Sequence, residues 1–448
     1  MMKQYDSYKD SGVEWIGKIP SHWEVVPLLY MLRQKICDGP HETPKLVDDG
    51  IPFISIDSLN DSEKINFDIV KKFISEEDYQ RYLLKANLEK GDVLFSKAAT
   101  IGKTAIVGDE KFMVWSPLAI LKPNDKNVLS KYLYYVVNCK MAIEEAILLG
   151  NFNTQVNVGM RDLEKIRITC PLLSEQESIV SYLNEKCGKI DKAIATQEKR
   201  VELLKELRQN IITQAVTRGI NPNAPLKDSG VEWIGEVPEH WEVRKLKNIC
   251  KSEKYAIKTG PFGSQLKGEE LQPDGDVRVY SQRNVIDNSF DDTNFYVSNA
   301  KAKDLESFYT QPSDLLVTSR GTIGKCAILP ADAPMGILHP CLIAMRVDTN
   351  ICDIKFVQIY MNESICFGTN VYLNSNATTI EVIYTDTLKN INIPVPPLSE
   401  QQEIVSYIET KTARLDASIE KAEHQIELLQ ELKQSIITEV VTGKRKVV

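Results

Sequence analysis

Two stretches of this chain carry apolar residues at seven-residue intervals. In the first, Val180, Cys187, Ile194 and Val201 form one series, and Leu183, Ile190, Leu204 and Ile211 run beside it. In the second, Val405, Thr412, Ile419 and Ile426 form the series, with Ile408, Leu415, Ala422, Leu429 and Ile436 alongside. No Pro interrupts either run, and Gly188 is the only glycine in them. Such a repeat over about four heptads predicts two long helices with a coiled-coil seam. Pro171 and the Pro396–Pro397 pair stop what precedes, and Ser174 with Glu177 and Ser399 with Gln402 read as capping boxes. About 40 residues at the helical rise span on the order of 60 Å. Each helix alone exposes its seam, so its natural partner is the other helix, antiparallel rather than parallel. The alternative is that each is an ordinary bundle helix packed within its own half.

The rest of the chain has a shorter period. IPFISI (51–56), DVLFS (92–96), DVRVY (276–280) and DLLVT (314–318) read as strands between turn residues, with a short helix near 130–148 and again near 353–366. The predicted class is α+β: two mixed α/β domains, at 26–170 and 244–396, joined by two long antiparallel coiled-coil helices in a pseudo-twofold internal repeat. The expected division is 1–172, 173–220, 221–397 and 398–448.

The repeat is literal. DSGVEWIGKIPSHWEV (10–25) returns as DSGVEWIGEVPEHWEV (228–243), and LSEQESIVSYL (173–183) returns as LSEQQEIVSYI (398–408). EKRVELLKELRQNIITQAVT (198–217) returns as EHQIELLQELKQSIITEVVT (423–442). The two copies lie 218 residues apart at the first block, 222 at a shared TIGK and 225 at the helix start. The drift accumulates in the middles, so each half has a constant beginning, a divergent middle and a constant end. A duplicated enzyme keeps its active-site motifs alike, whereas divergent middles on a common frame suit two readers of different targets. The recurrent His22-Trp23 and His240-Trp241 read as packing rather than chemistry.

Composition changes this picture little. Of 448 residues, 43% are hydrophobic and 26% charged, as in an ordinary globular protein. The start, MMKQYDSYKD, lacks the apolar core of a signal peptide, and no 18-residue apolar run predicts a membrane span. Nine cysteines without a C-x-x-C or a repeated framework point to reduced thiols in a cytoplasmic protein. The net charge of −8 argues against a wholly basic nucleic-acid binder, but it is unevenly placed. Residues 26–170 hold 19 basic and 20 acidic residues, and 244–396 hold 16 and 17, so the acidity sits in the constant parts. A near-neutral domain can still present a basic face.

Four polar loops recur in register in the two middles. The first, DGPHETPK (38–45) against TGPFGSQLK (259–267), offers His41, Thr43 and Lys45, and Ser264, Gln265 and Lys267. The second, DSLND (57–61) against SQRNVIDN (281–288), offers Ser58, and Gln282, Arg283 and Asn284. The third, KAATIGK (97–103) against SRGTIGK (319–325), offers Lys97, Thr100 and Lys103, and Ser319, Arg320, Thr322 and Lys325. The fourth, NFNTQVN (151–157) against NSNATTI (374–380), offers Asn153 and Gln155, and Asn376. Arg and Lys reach guanine edges and Asn and Gln adenine edges in a major groove, while hydroxyls and backbone amides near Gly hold phosphates. Any one of these loops alone reads equally well as plain surface. Their recurrence in register marks them as candidate DNA contacts.

Other signals fail on inspection. ATIGKT (99–104) has Lys97 where a P-loop needs its first glycine, and the copy has Ser319 and Cys326 at the two ends. No G-x-G-x-x-G and no Asp/Asn-Pro-Pro-aromatic motif of an amino-methyltransferase occurs, and the five histidines have no metal spacing. Neither half carries a duplicated acid–base set. A catalytic role is therefore not expected; a coiled-coil scaffold without DNA contact is the alternative to a sequence reader.

The repeated GVEWIG-x-x-P-x-HWEV, the P-L-S-E-Q helix start and the ELL-x-EL-x-Q-x-II-T ending, in this order and twice over, resemble the specificity subunit of type I restriction–modification systems. The DGPHETP, GPFGSQL and RGTIGK stretches fit its two target recognition domains, and the resemblance covers essentially the whole chain. It implies that each middle reads one half of a split, asymmetric site in double-stranded DNA. It implies that the helices set the half-site gap and dock two copies of a methyltransferase subunit, which methylate adenine. A separate motor and nuclease subunit would add restriction. The chain itself would need no cofactor; S-adenosylmethionine, ATP and Mg²⁺ would belong to the partners. One departure stands out: Lys97-Ala98-Ala99 replaces the Ser319-Arg320-Gly321 of the second half.

Overall fold

The computed structural model describes residues 4–60, 63–152, 156–292, 295–374 and 382–447. It divides into two compact units. One comprises Met1–Glu198 with Glu423–Val448, the other Lys199–Ala422. The helices are continuous over Leu173–Arg218 and Leu398–Val441, so each unit takes the beginning of one long helix and the end of the other.

In the first unit the two helix segments run antiparallel. Lys433 Nζ reaches Asp191 Oδ1 at 2.7 Å, and beyond the end of the second helix Arg445 Nη1 donates to Tyr182 OH at 3.1 Å. Ile179, Leu183, Cys187 and Ile190 share one buried cluster with Ile436, Ile437, Val440 and Val441. In the second unit Arg208 Nε reaches Asp416 Oδ1 at 2.8 Å, and Ile212, Ala215 and Val216 share a cluster with Ile404, Val405 and Ile408. The same clusters include Tyr132 and Leu133 in the first unit and Phe356 and Tyr360 in the second. The heptad residues therefore do both things the pattern allowed: they face the antiparallel partner and also pack within their own unit. Because the seam is shared in this way, Val180, Ile194, Leu204 and Ile211 stay only half-buried.

The helices begin at Leu173 and Leu398, one residue ahead of the expected caps Ser174 and Ser399. The fully buried Gln176 and Gln401 fix these starts. Gln176 accepts from Leu129 N–H at 2.9 Å and donates to the Pro171 and Asn127 carbonyls, and Gln401 accepts from Asp353 N–H at 2.7 Å and donates to Pro396 and Ile351. These amides tie each helix start to the preceding segment of its unit, so the helix begins ahead of the serine, which lies inside its first turn.

Each unit repeats one arrangement of strands. In the first, Tyr8–Asp10 pairs with Lys18–Pro20, and Glu24–Pro27 with Arg167–Cys170, all antiparallel. An antiparallel sheet runs in the order Cys37–Asp38, Leu118–Leu121, Val93–Ser96, Thr104–Ile106. A second sheet is centred on Ile51–Ile54, which lies parallel to Met113–Val114. In the second unit the corresponding sheet is Ile257–Thr259, Leu342–Met345, Leu315–Thr318, Cys326–Ile328, and Val277–Tyr280 lies parallel to Ile337–Leu338. The single helix expected in each middle is a pair: Ser130–Val137 with Lys140–Leu148, and Ile354–Glu363 with Ile365–Asn374.

The repeated His-Trp is frame. Trp23 and Trp241 are fully buried. Trp23 Nε1 donates to Glu175 at 3.3 Å and Trp241 Nε1 to Glu400 at 3.0 Å, and His22 and His240 reach the same carboxylates at 3.0 and 2.8 Å. Each pair thus ties the constant beginning of a half to the first turn of its long helix, where a carboxylate also suits the helix dipole. All nine cysteines are free thiols, and among the described residues no helix is long and apolar enough to cross a membrane.

Candidate nucleic-acid interface

The third loop is the turn of a β-hairpin in both units. Ser96 Oγ accepts from Lys103 N–H at 2.8 Å, and Thr318 Oγ1 from Lys325 N–H at 3.0 Å, closing the turn from inside. The glycine of TIGK has a positive φ, +95° at Gly102 and +79° at Gly324, and a Cβ there would meet Ile143 at 2.7 Å or Phe367 at 3.2 Å. TIGK recurs because its glycine turns the chain tightly against a helix of the same unit. A strand follows the turn rather than a helix, so the strand–loop–helix of a P-loop is not formed.

The first three loops converge on a segment that follows the parallel strand. In the first unit Trp115 N–H donates to Ile54 O at 3.0 Å and Lys97 N–H to Pro117 O at 2.9 Å; a Cβ on Gly39 would lie 2.0 Å from the Val114 carbonyl oxygen. In the second, His339 N–H donates to Tyr280 O at 2.9 Å and Ser319 N–H to Cys341 O at 2.9 Å; a Cβ on Gly260 would lie 2.2 Å from the His339 oxygen. Residues 115–117 and 339–341 thus hold the loops together. In the first unit the end of the fourth loop meets the third through a bridge between Ala98 and Asn157; in the second, Arg320 of the third loop bridges to Val382. Asn153, Gln155 and Asn376 lie outside the described residues.

The candidate side chains divide by burial. In the first unit Thr43, Lys45 and Thr100 are exposed and Lys103 is half-buried. His41 is exposed with Nε2 3.1 Å from Asp38 Oδ2. Ser58 and Lys97 are buried, and Lys97 Nζ lies 3.4 Å from Asp38, whose other oxygen takes Lys85 Nζ at 3.1 Å. In the second unit Ser264, Gln265, Lys267, Arg283, Arg320, Thr322 and Lys325 are exposed. Gln265 accepts from Phe262 N–H at 3.0 Å, Arg283 Nε donates to Asp287 at 3.2 Å, and the half-buried Gln282 donates to the Arg320 carbonyl. Ser319 and Asn284 are buried. The Asn284 amide accepts from Ser281 N–H at 2.9 Å and donates to Ser289 and Asp292 at 3.0 and 2.7 Å, which organises the second loop from within.

Two features escaped the sequence reading. The gathering segments 115–117 and 339–341 carry no polar-loop signature, and their distances from TIGK differ between the halves. Phe262 at the tip of the first loop is 73% exposed, and an aromatic between Pro261 and Gly263 was the available signal. His339, beside Arg320 and stacked on Phe295 at 5.9 Å, is held below the usual imidazole range by burial and then by the Arg320 charge. Burial pushes the Cys250 and Cys352 thiols up to about 12, so neither is a ready nucleophile. Exposed cations, amides and hydroxyls on rigid hairpin frames suit phosphate and base-edge contacts.

Residues 20–206 and 238–428 each match the family model of the type I restriction modification DNA specificity domain. The chain belongs to that family, with one domain copy in each half. It is 27% identical over 438 residues to the type I restriction enzyme MjaX specificity subunit of Methanocaldococcus jannaschii, covering 96% of each chain. It is 24% identical over 297 residues to the EcoBI specificity subunit of Escherichia coli, covering 65% of this chain and 61% of that one. A solved chain from a study of complex assembly and conformational transition in the type I R-M system superposes with a TM-score of 0.67 at 15% identity, covering 94% of this chain and 98% of that chain. That likeness carries the fold. The chain is a non-catalytic specificity subunit, and its function is recognition of a DNA target.

Proposed function

We propose that each half reads one half-site of a bipartite, asymmetric DNA sequence and that the chain directs adenine methylation and restriction carried out by partner subunits. The carrying observation is that two specificity domains, one per half, hold equivalent loop frames with different exposed side chains. On this reading 1–172 and 221–397 are the reading segments, and 173–220 and 398–448 the spacer helices. The exposed subset of the candidates makes the contacts: His41, Thr43, Lys45 and Thr100 in the first half, and Ser264, Gln265, Lys267, Arg283, Arg320, Thr322 and Lys325 in the second. The buried Ser58, Lys97, Asn284 and Ser319 shape the loops.

Two methyltransferase subunits bind, one per unit, and a motor and nuclease subunit completes the complex. Supporting the count of two, Leu203 and Leu207 on the first long helix and their repeat equivalents Leu428 and Leu432 on the second are each about half exposed. An apolar i, i+4 pair left in water on each helix suits a docked helix of a partner. S-adenosylmethionine, ATP and Mg²⁺ act on those partners in the cytoplasm. Mapping methylated adenines in cells with and without this chain tests the reading. The expected result is one split motif present only with the chain; an unchanged methylation pattern overturns it.

A further inference from the structure

We propose that Phe262 is a wedge that enters the DNA stack at one base step of the half-site read by the second unit, and that the first unit has no counterpart. This deepens, and rests on, the DNA-reading function above.

The argument begins with the rigidity of the loop. On one side Gly260 is packed so closely on the His339 carbonyl that no side chain fits, and its N–H donates to Leu342 O at 2.9 Å. On the other side Leu266 is buried at 3% exposure. Between these anchors the backbone closes on itself. Gln265 and Leu266 N–H donate to Phe262 O at 2.8 and 3.1 Å, and Phe262 N–H donates to the Gln265 side chain at 3.0 Å. Each polar backbone group of Phe262 is therefore satisfied inside the loop, while its ring stands 73% exposed.

A large apolar ring fixed in water by a preorganised turn has no folding role of its own. Its neighbours Ser264, Gln265 and Lys267 are exposed hydrogen-bond donors of the kind that hold a phosphate backbone. Held there, the ring meets stacked bases, and Phe is among the side chains that enter base steps and kink a duplex.

The first unit is built differently at the equivalent place. Counting from the matched Gly39-Pro40 and Gly260-Pro261, His41 replaces Phe262. Its imidazole lies 3.1 Å from Asp38 Oδ2, and Thr259 replaces that carboxylate in the second half. The ring at this position is thus tethered and polar in the first unit and untethered and apolar in the second. Unstacking is cheapest at pyrimidine–purine steps, so the wedge selects such a step without hydrogen-bonding its bases.

The test uses the full chain assembled with its methyltransferase partner. The probe is a duplex carrying the mapped site, with 2-aminopurine placed in turn at each position of both half-sites. Wild type is expected to raise fluorescence at a pyrimidine–purine step of one half-site. Phe262→Ala abolishes that rise, lowers affinity for the site about tenfold and relaxes the preference for that step, while binding to unrelated duplex is unchanged. Phe262→Leu, still an apolar wedge, keeps the rise. The ring is exposed, so all variants retain the wild-type melting temperature. A rise that survives Phe262→Ala, or an affinity loss equal on specific and unrelated DNA, overturns the wedge. Wild type that shows no sequence preference at all sinks the underlying DNA reading instead.

Discussion

Asp38 and Lys97 form an ion pair with Nζ 3.4 Å from Oδ2, and only 1% and 9% of their side chains are exposed. The pair fastens the first loop of the first unit to the third. The second unit has Thr259 and Ser319 at these places, so the two halves hold the same loops with different chemistry.

Removing one member leaves the other buried. Lys97→Ala is expected to destabilise the protein by about 2 kcal/mol, less than a fully unpaired buried charge costs, because His41 still faces Asp38 Oδ2 and Lys85 still faces Oδ1. Urea unfolding measures it. Lys45→Ala, at an exposed position, leaves the urea midpoint unchanged and lowers the log–log salt slope of DNA binding by about one.

Ala99 has φ +59°, and its equivalent Gly321 has φ +68°. A side chain strains this left-handed turn. Ala99→Gly should therefore stabilise by about 0.5 kcal/mol, because relief of strain outweighs the added freedom of the unfolded chain, and Gly321→Ala should destabilise by about 1 kcal/mol. Shifts of the denaturant midpoint at constant slope check both signs.

His339 gives the stability a pH dependence. Its folded value lies below the 6.5 of the free group, so between the two the unfolded chain binds more protons. Stability is fully present above about pH 6.5 and is lost as the pH falls from there toward the folded value. His339→Gln flattens that slope. Urea midpoints taken from pH 5 to pH 7.5 in both proteins show it.

The long helices can be lengthened by a turn. Four residues inserted after Gln197, with four more after Ala422 to keep the antiparallel partner in step, are expected to change the permitted gap between half-sites. Single-molecule methylation mapping reads the gap, and an unchanged gap removes the spacer role.

Much of this was legible along the chain. The strands at 51–54, 93–96, 277–280 and 315–318 fall inside the β-rich runs, because a short apolar, β-branched run between turn residues is a local property. The long helices follow their heptads for the same reason. The sequence at 130–148 reads as one helix although the fold has two, because the break at Asn138-Cys139 carries no Pro or Gly. The candidate interface was legible as loops but not as side chains. Lys97 and Lys45 look alike in sequence, and so do Asn284 and Gln265. Burial separates them, and burial is set by residues far away in the chain.

By itself the sequence determined the duplication, the two helices, the strand positions and the family, since periodicity and repeated words need no third dimension. Only the tertiary structure decided that Lys97 is a brace, that residues 115–117 and 339–341 gather the loops, and that Phe262 stands in solvent. These depend on which groups meet across sequence separations of tens of residues, and the free energy of a charge or a ring depends on what surrounds it.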